Sequence, residues 1–318
     1  MEYLILLISL AGIVLGADYL VAGAVSIARK YKVSDFVIGA AIVGIGTSMP
    51  ELVVSFIGAL NGNPDVAIGN VVGSNIFNVL GILGITALFF PIAVNKTNIK
   101  FELPVCIGVS VLLTVLVFNF FTGGTPVISR PDGLVLLVCF ALFMWYSFYR
   151  DKKAAKNIDE DVASVEDQSP LWLAIVKVIG GLAVLITSCD FFVDNAVLIA
   201  RSFGVNDAFI SLTLIACGTS LPELAASVAA ALKKNTQLAL GNVIGSNIFN
   251  ITWILGLSSQ VMPLNSSGIT AVDYCVMIGA AIVPMILGFK GRIGRLAGAM
   301  MFIGFIAYNY YLLTNQIA

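Results

Sequence analysis

GTSMPE, residues 46–51, lies inside an apolar run that extends from Phe36 to Leu60, and it sets a carboxylate, two hydroxyls, a glycine and a proline among hydrocarbon side chains. The pattern returns as GTSLPE at 218–223, 172 residues later. At that shift residues 18–84 lie over 190–256 without a gap, and 33 of the 67 pairs are identical. The chain therefore contains a duplication. Asp18 aligns with Asp190, Arg29 with Arg201, Asp35 with Asp207, and GNVVGSNIFN (69–78) with GNVIGSNIFN (241–250). Apolar packing alone does not preserve polar residues in this way, so a duplicated scaffold with no site at its centre is the weaker reading.

Outward from the motif, the chain reads as membrane. Of its 318 residues 59% are hydrophobic and 11% charged, with a mean hydropathy of +0.99. That is too little polar surface to coat a soluble globule. Crossing ~30 Å of hydrocarbon takes roughly 17–25 helical residues. Ten runs qualify, near 3–28, 36–60, 66–94, 101–121, 132–149, 171–200, 208–232, 238–264, 271–289 and 295–314. The first is too long for a signal peptide and lacks a basic start and a small-residue cleavage pattern, so it is expected to be retained. The predicted fold is an all-α polytopic membrane protein of ten transmembrane helices. Each repeat holds five spans, an odd number, so the second copy enters from the opposite face. The expected arrangement is two inverted five-helix repeats, 1–149 and 171–318, joined by a linker at 150–170, with helices broken at the midplane.

Charge sets the orientation. With the amino terminus outside, fifteen of the seventeen Lys and Arg residues fall on the inner side, leaving only Arg130 and Arg201 outside. Both termini are then extracellular and the 150–170 linker cytoplasmic. A formal net charge of −1 gives no field for nucleic acid. Cys106, Cys139, Cys189, Cys217 and Cys275 match neither a metal knuckle nor a disulfide framework and read as small packing residues. The chain has no histidine, which removes His-based zinc sites, Ser-His hydrolases and histidine proton relays. No H-E-x-x-H or G-x-S-x-G is present, so an enzyme is not expected.

Pro50 and Pro222 lack the N–H that would serve the carbonyls of Gly46 and Gly218, so the helices are expected to break at both motifs. In hydrocarbon such a break persists only where its carbonyls are buried in protein or face water or an ion. Thr47 and Ser48 precede Glu51 by four and three residues and share its face wherever the turn stays helical. The second motif adds a polar stripe of Asn70, Ser74 and Asn78, with Gly69 and Gly73 permitting close helix approach, and Asn242, Ser246, Asn250, Gly241 and Gly245 repeat it. Carboxylate, amide, hydroxyl and carbonyl oxygens suit hard cations. Ca²⁺ takes ~6–8 of them in flexible geometry, whereas Mg²⁺ demands an octahedron and keeps its waters. Two carboxylates balance one Ca²⁺ or two Na⁺, and a third Na⁺ would leave a positive charge.

The paired G-T-S-x-P-E and G-N-x-x-G-S-N-x-x-N motifs in two inverted halves resemble the alpha repeats of the calcium/cation antiporters, most closely the sodium/calcium exchanger branch, over nearly the whole chain. The resemblance implies Na⁺ for Ca²⁺ antiport by alternating access, with Ca²⁺ and Na⁺ as transported substrates, no cofactor, and a monomer in the bilayer sufficient for transport. It implies that Glu51 and Glu223 are the central ligands, that Thr47, Ser48, Ser74, Thr219, Ser220 and Ser246 lend oxygens to flanking Na⁺ sites with the carbonyls of Gly44 and Ala216, and that Asn78 and Asn250 complete the ring. Potassium-carrying members often have Asp at the position of Asn250, so its absence argues against K⁺ dependence. Proton-exchanging relatives usually read G-N-x-x-E where this chain has G-T-S-x-P-E, which favours Na⁺. Proton-coupled cation antiport remains the alternative, since a desolvated carboxylate readily takes up a proton. A passive cation channel is a more distant one.

Other polar residues are less telling. Asp18, Asp190 and Asp194 lie within spans and admit two readings, an access path or a structural hydrogen bond. Asp35 with Arg29 and Asp207 with Arg201 sit at span ends, where capping and anchoring are expected. Trp145, Trp172 and the tyrosines of 308–311 suit aromatic belts. The acidic stretch 159–167 lacks the glycine and ligand spacing of a Ca²⁺-binding EF-hand loop.

Overall fold

A computed structural model describes residues 2–118, 125–156, 170–203 and 216–316. Helices run in the order α1 (Glu2–Tyr31), α2 (Asp35–Thr47), α3 (Met49–Leu60), α4 (Pro64–Phe89), α5 (Asn98–Val117), α6 (Arg130–Lys156), α7 (Leu171–Ser202), α8 (Ala216–Gly218), α9 (Leu221–Leu232), α10 (Thr236–Val261), α11 (Ala271–Leu287) and α12 (Arg295–Gln316). Among the described residues seven helices are long and apolar enough to cross a bilayer, and α2 with α3, bent by 49° at a break, make an eighth span. The shorter apolar helices α9 and α11 fill the two places that complete ten. The fold is that of two inverted five-span halves. Helix α6 continues through Lys156, seven residues into the stretch expected to be linker, because Lys, Ala and Arg are good helix formers whatever their charge. The rest of that stretch, with the acidic residues at 159–167, lies outside the described residues, as do Asp207 and the start of the seventh span.

The chain forms two compact units, each built from both halves of the duplication: residues 1–50 with 141–245, and residues 51–140 with 246–318. In the first unit α1 and α7 pack antiparallel along a seam of glycines. A Cβ on Gly16 would lie 2.6 Å from Leu185 N, and one on Gly181 would lie 2.6 Å from Leu20 N. The helices approach at backbone distance, and Leu20, Val21, Ala24, Val178, Leu185 and Cys189 fill the flanking core. Ser34 caps α2 by accepting the Val37 N–H, while its own N–H and hydroxyl donate to Asp151 at 2.9 and 2.6 Å. The glycines of α10 act as expected here: a Cβ on Gly241 would lie 2.2 Å from Phe36 O, and one on Gly245 would lie 2.4 Å from Ala40 Cα. The repeat positions equivalent to Phe36 and Ala40, 208 and 212, are outside the described residues, so the matching role of Gly69 and Gly73 stays an expectation.

In the second unit two short strand pairs display the repeat symmetry. Strand β1 (Ile92–Ala93), which follows α4, pairs antiparallel with β4 (Arg292–Ile293), which precedes α12. Strand β3 (Leu264–Asn265), which follows α10, pairs with β2 (Val127–Ile128), which precedes α6. Each half thus hands the end of its third span to the approach of the other half's fifth. Within this unit α12 crosses α4 where Gly84 faces Gly298, a Cβ on the latter falling 2.6 Å from Gly84 O. Phe140, Phe249 and Trp253 form an aromatic cluster with centroids 5.3 to 6.4 Å apart. Tyr308, expected in a surface belt, instead donates to Asp273 at 2.7 Å, whereas Trp145 and Trp172 stay exposed.

Among the seven long helices of the described residues, those carrying the second motif are the most enclosed, α4 being 83% and α10 94% buried. Both widen into a π-helical turn, at Phe77–Leu83 and Asn250–Ile254, and the described residues hold two more at Gly39–Gly44 and Asn98–Glu102. The wide turns carry no residue pattern that announces them in sequence, yet one pair falls on the repeat-equivalent residues Asn78 and Asn250. Such turns frequently mark functional positions.

Candidate functional site

In the first unit the break expected at Pro50 is present and centred on Ser48. Helix α2 ends at Thr47, Ser48 turns at φ −82° and ψ 11°, and α3 restarts at Met49. Its repeat mate Ser220 turns at φ −94° and ψ 8° before α9. Pro222 then occupies the first turn of a helix, as Pro50 does, where a missing N–H is tolerated because no helical carbonyl awaits it. The Gly44 carbonyl accepts the Ser48 N–H at 3.1 Å.

Because Ser48 lies in the break, its hydroxyl does not pair with Glu51 along a helical face. It donates to Glu223 Oε1 at 2.8 Å, bringing a hydroxyl of one repeat to the carboxylate of the other. Thr47 Oγ1 lies 2.9 Å from Val43 O and 3.3 Å from Asn242 Oδ1. Asn242 Nδ2 in turn donates to Glu223 O at 3.1 Å and to Ser227 Oγ at 2.9 Å. Glu223, Ser48 and Thr47 are fully buried. Glu223 Oε2 and Thr219 Oγ1 have no hydrogen-bond partner among the described residues. A buried carboxylate oxygen without a donor is costly, so the arrangement favours a cation. Ser220 is fully buried, and Ala216 opens α8.

The second unit repeats the brace. Asn70 Nδ2 donates to Glu51 O at 3.2 Å and to Ser55 Oγ at 2.9 Å, mirroring Asn242. Asn70 and Asn242, members of the polar stripe expected from sequence, thus brace the backbone at each glutamate. Glu51 and Ser246 are fully buried and Ser74 nearly so. Ser74 Oγ, Asn78 Oδ1 and Asn250 Oδ1 have no hydrogen-bond partner among the described residues. Sequence reading passed over Ser55, Ser227, Asn75 and Asn247. Their signal was available, since each pair is identical between the repeats and polar within an apolar span.

Of the intramembrane aspartates, Asp18 acquires a partner, accepting Lys233 Nζ at 2.7 Å on its side chain and 2.8 Å on its main chain. Asp190 and Asp194 lie on the exposed side of α7.

Residues 1–149 and 173–314 match the family described as sodium/calcium exchanger protein. A putative antiporter, CaxA, of Alkalimonas amylolytica is 40% identical over 317 residues, covering 97% of this chain and 98% of that protein. The sodium/calcium exchanger MaX1 of Methanosarcina acetivorans is 32% identical over 340 residues, covering 96% and 97%. Among solved structures, the sodium-calcium exchanger NCX_Mj soaked with zero Na⁺ and Ca²⁺ superposes with a TM-score of 0.83 at 32% identity, covering 98% of each chain.

Proposed function

Since the chain belongs to the sodium/calcium exchanger family, we propose that it exchanges Na⁺ for Ca²⁺ across the membrane by alternating access, electrogenically and without K⁺. The observation that carries this reading is the pair of fully buried glutamates, Glu51 and Glu223, one in each compact unit, each just after a helix break. Two fixed carboxylates among neutral oxygens match one Ca²⁺ or two Na⁺ in charge, and binding a third Na⁺ would make the cycle move net charge. One charge moved through 100 mV is worth ~2.3 kcal/mol, so flux of that kind follows voltage.

The proposed ligands are Glu51 and Glu223 with Thr47, Ser48, Ser74, Thr219, Ser220, Ser246, Asn78 and Asn250, and the carbonyls of Gly44 and Ala216. The neutral amide at Asn250 supports K⁺ independence, because a K⁺ bound beside Ca²⁺ would call for a further anionic ligand. In the membrane the proposed domains are the repeats 1–149 and 171–318, with both termini extracellular and the linker 150–170 cytoplasmic; a monomer suffices.

The test is ⁴⁵Ca²⁺ uptake into proteoliposomes with either an outward Na⁺ gradient or a pH gradient. Uptake driven by Na⁺, accelerated by an inside-positive potential because one net positive charge leaves per Ca²⁺ taken up, and unaltered by K⁺, is the expected result. Uptake driven by pH and indifferent to Na⁺ would assign the chain to proton-coupled antiport instead.

A further inference from the structure

Four asparagines of the second unit form a closed box across the two repeats. Asn75 Nδ2 donates to the Asn247 main-chain oxygen at 3.2 Å, and Asn247 Nδ2 donates to the Asn75 main-chain oxygen at 3.1 Å. A main-chain carbonyl only accepts, so both amides are fixed with nitrogen toward the opposite backbone. Their side-chain oxygens are left to receive the neighbouring amides. Asn78 Nδ2 donates to Asn247 Oδ1 at 3.0 Å, and Asn250 Nδ2 donates to Asn75 Oδ1 at 3.2 Å. All four residues are buried, with at most 3% of their surface exposed.

The box determines which end of each outer amide is free. With Nδ2 turned into the box, Asn78 and Asn250 keep Oδ1 unpaired and buried among the described residues, on the two widened turns of α4 and α10. An amide has an attractive and a repulsive end for a cation, and a half-turn about its last bond exchanges them. A serine or glutamate ligand has no such ambiguity. We infer that Asn75 and Asn247 are positioning residues, each holding the amide of the other repeat's ligand, Asn250 or Asn78, with its carbonyl oxygen presented to the transported cation.

This rests on the exchange reading above, and it deepens that reading by adding the support behind two ligands. The crossed connection also has a consequence: the orientation of the first repeat's ligand is set by the second repeat, and the reverse, so neither half carries a complete set.

The test is equilibrium ⁴⁵Ca²⁺ binding to the purified full chain. Asn247→Leu removes the acceptor for Asn78 and is expected to raise the half-saturating Ca²⁺ concentration by about 10-fold to 100-fold, as loss of a ligand's supporting hydrogen bond does. In an Asn78→Asp background the ligand has oxygen at both ends and no direction to hold. There Asn247→Leu is expected to change binding by no more than about 2-fold, the scatter of independent effects. Asn75→Leu behaves in the same way against Asn250→Asp. If Asn247→Leu yields no folded protein, Asn247→Ser carries the test, since its shorter side chain also withdraws the acceptor.

Wild-type binding by both single variants overturns the inference, and so does an equal penalty in the two backgrounds, which is the mark of a packing role. Glu223→Gln measured alongside separates the two levels. If Glu223→Gln binds like wild type, the exchange site itself is misplaced; if it loses binding while Asn247→Leu does not, only the positioning role fails.

Discussion

Glutamine at position 223 keeps the shape of the side chain and removes its charge. Taking one partner from a buried charge pair costs roughly 3–5 kcal/mol, so Glu223→Gln and Glu51→Gln should each weaken Ca²⁺ binding by about two decades or more. Ser48→Ala withdraws the hydroxyl that donates to Glu223 at 2.8 Å. A hydrogen bond to a charged group contributes about 1.5–3 kcal/mol, and Na⁺ competition against ⁴⁵Ca²⁺ should weaken by roughly 10-fold or more. The braces act on stability instead. Asn242→Ala strands Glu223 O and Ser227 Oγ, which it serves at 3.1 and 2.9 Å, at a cost of about 1–3 kcal/mol, visible as a lowered melting temperature in detergent. Much at this scale was legible in sequence: charge inside an apolar run, repeated after 172 residues, already singles out the two glutamates. The direction of their hydrogen bonds was not legible. Spacing of three and four residues predicts a shared face only where the helix continues, and the chain stops being helical at Ser48 itself.

At the scale of elements, both breaks were legible because proline removes a donor wherever it stands, and hydrocarbon leaves few ways to tolerate that. The wide turns at Phe77–Leu83 and Asn250–Ile254 were not, since a π turn differs from an α turn by one residue of register and needs no special side chain. The seam between α1 and α7 lies between these cases. Gly12 and Gly16 are a small-x-x-x-small pair in plain view, but the same spacing occurs without close packing, and only its partner at Gly181 gives it meaning. Gly181→Leu would force side-chain atoms into a gap where even a Cβ lies 2.6 Å from Leu20 N. Overpacking of this kind costs about 1–3 kcal/mol. Thermal unfolding should therefore shift downward, while Gly180→Leu, one residue away with no heavy atom within 4 Å of its Cβ position, should leave it unchanged.

For the whole molecule, the ten-span inverted architecture followed from counting: two copies that align without a gap over 18–84 and 190–256, each in a half of five spans, can only sit upside down to one another. Their compact units were not legible, because each unit is assembled from both copies, at 1–50 with 141–245 and 51–140 with 246–318, and a linear duplication does not reveal which spans will share a core. The charge bias makes a separate prediction. In intact cells, with the native cysteines replaced, Ala318→Cys should react with a membrane-impermeant maleimide and Ala163→Cys should not; the reverse pattern would invert the topology. The proposed exchange requires that both buried carboxylates serve the same cations. The most direct measurement is calorimetric Ca²⁺ titration of the purified wild type, Glu51→Gln and Glu223→Gln, each with and without Na⁺. Ca²⁺ binding that Na⁺ competes away in the wild type, and that either substitution abolishes, is the predicted result. Undiminished binding in either variant, or binding that Na⁺ leaves untouched, would contradict it.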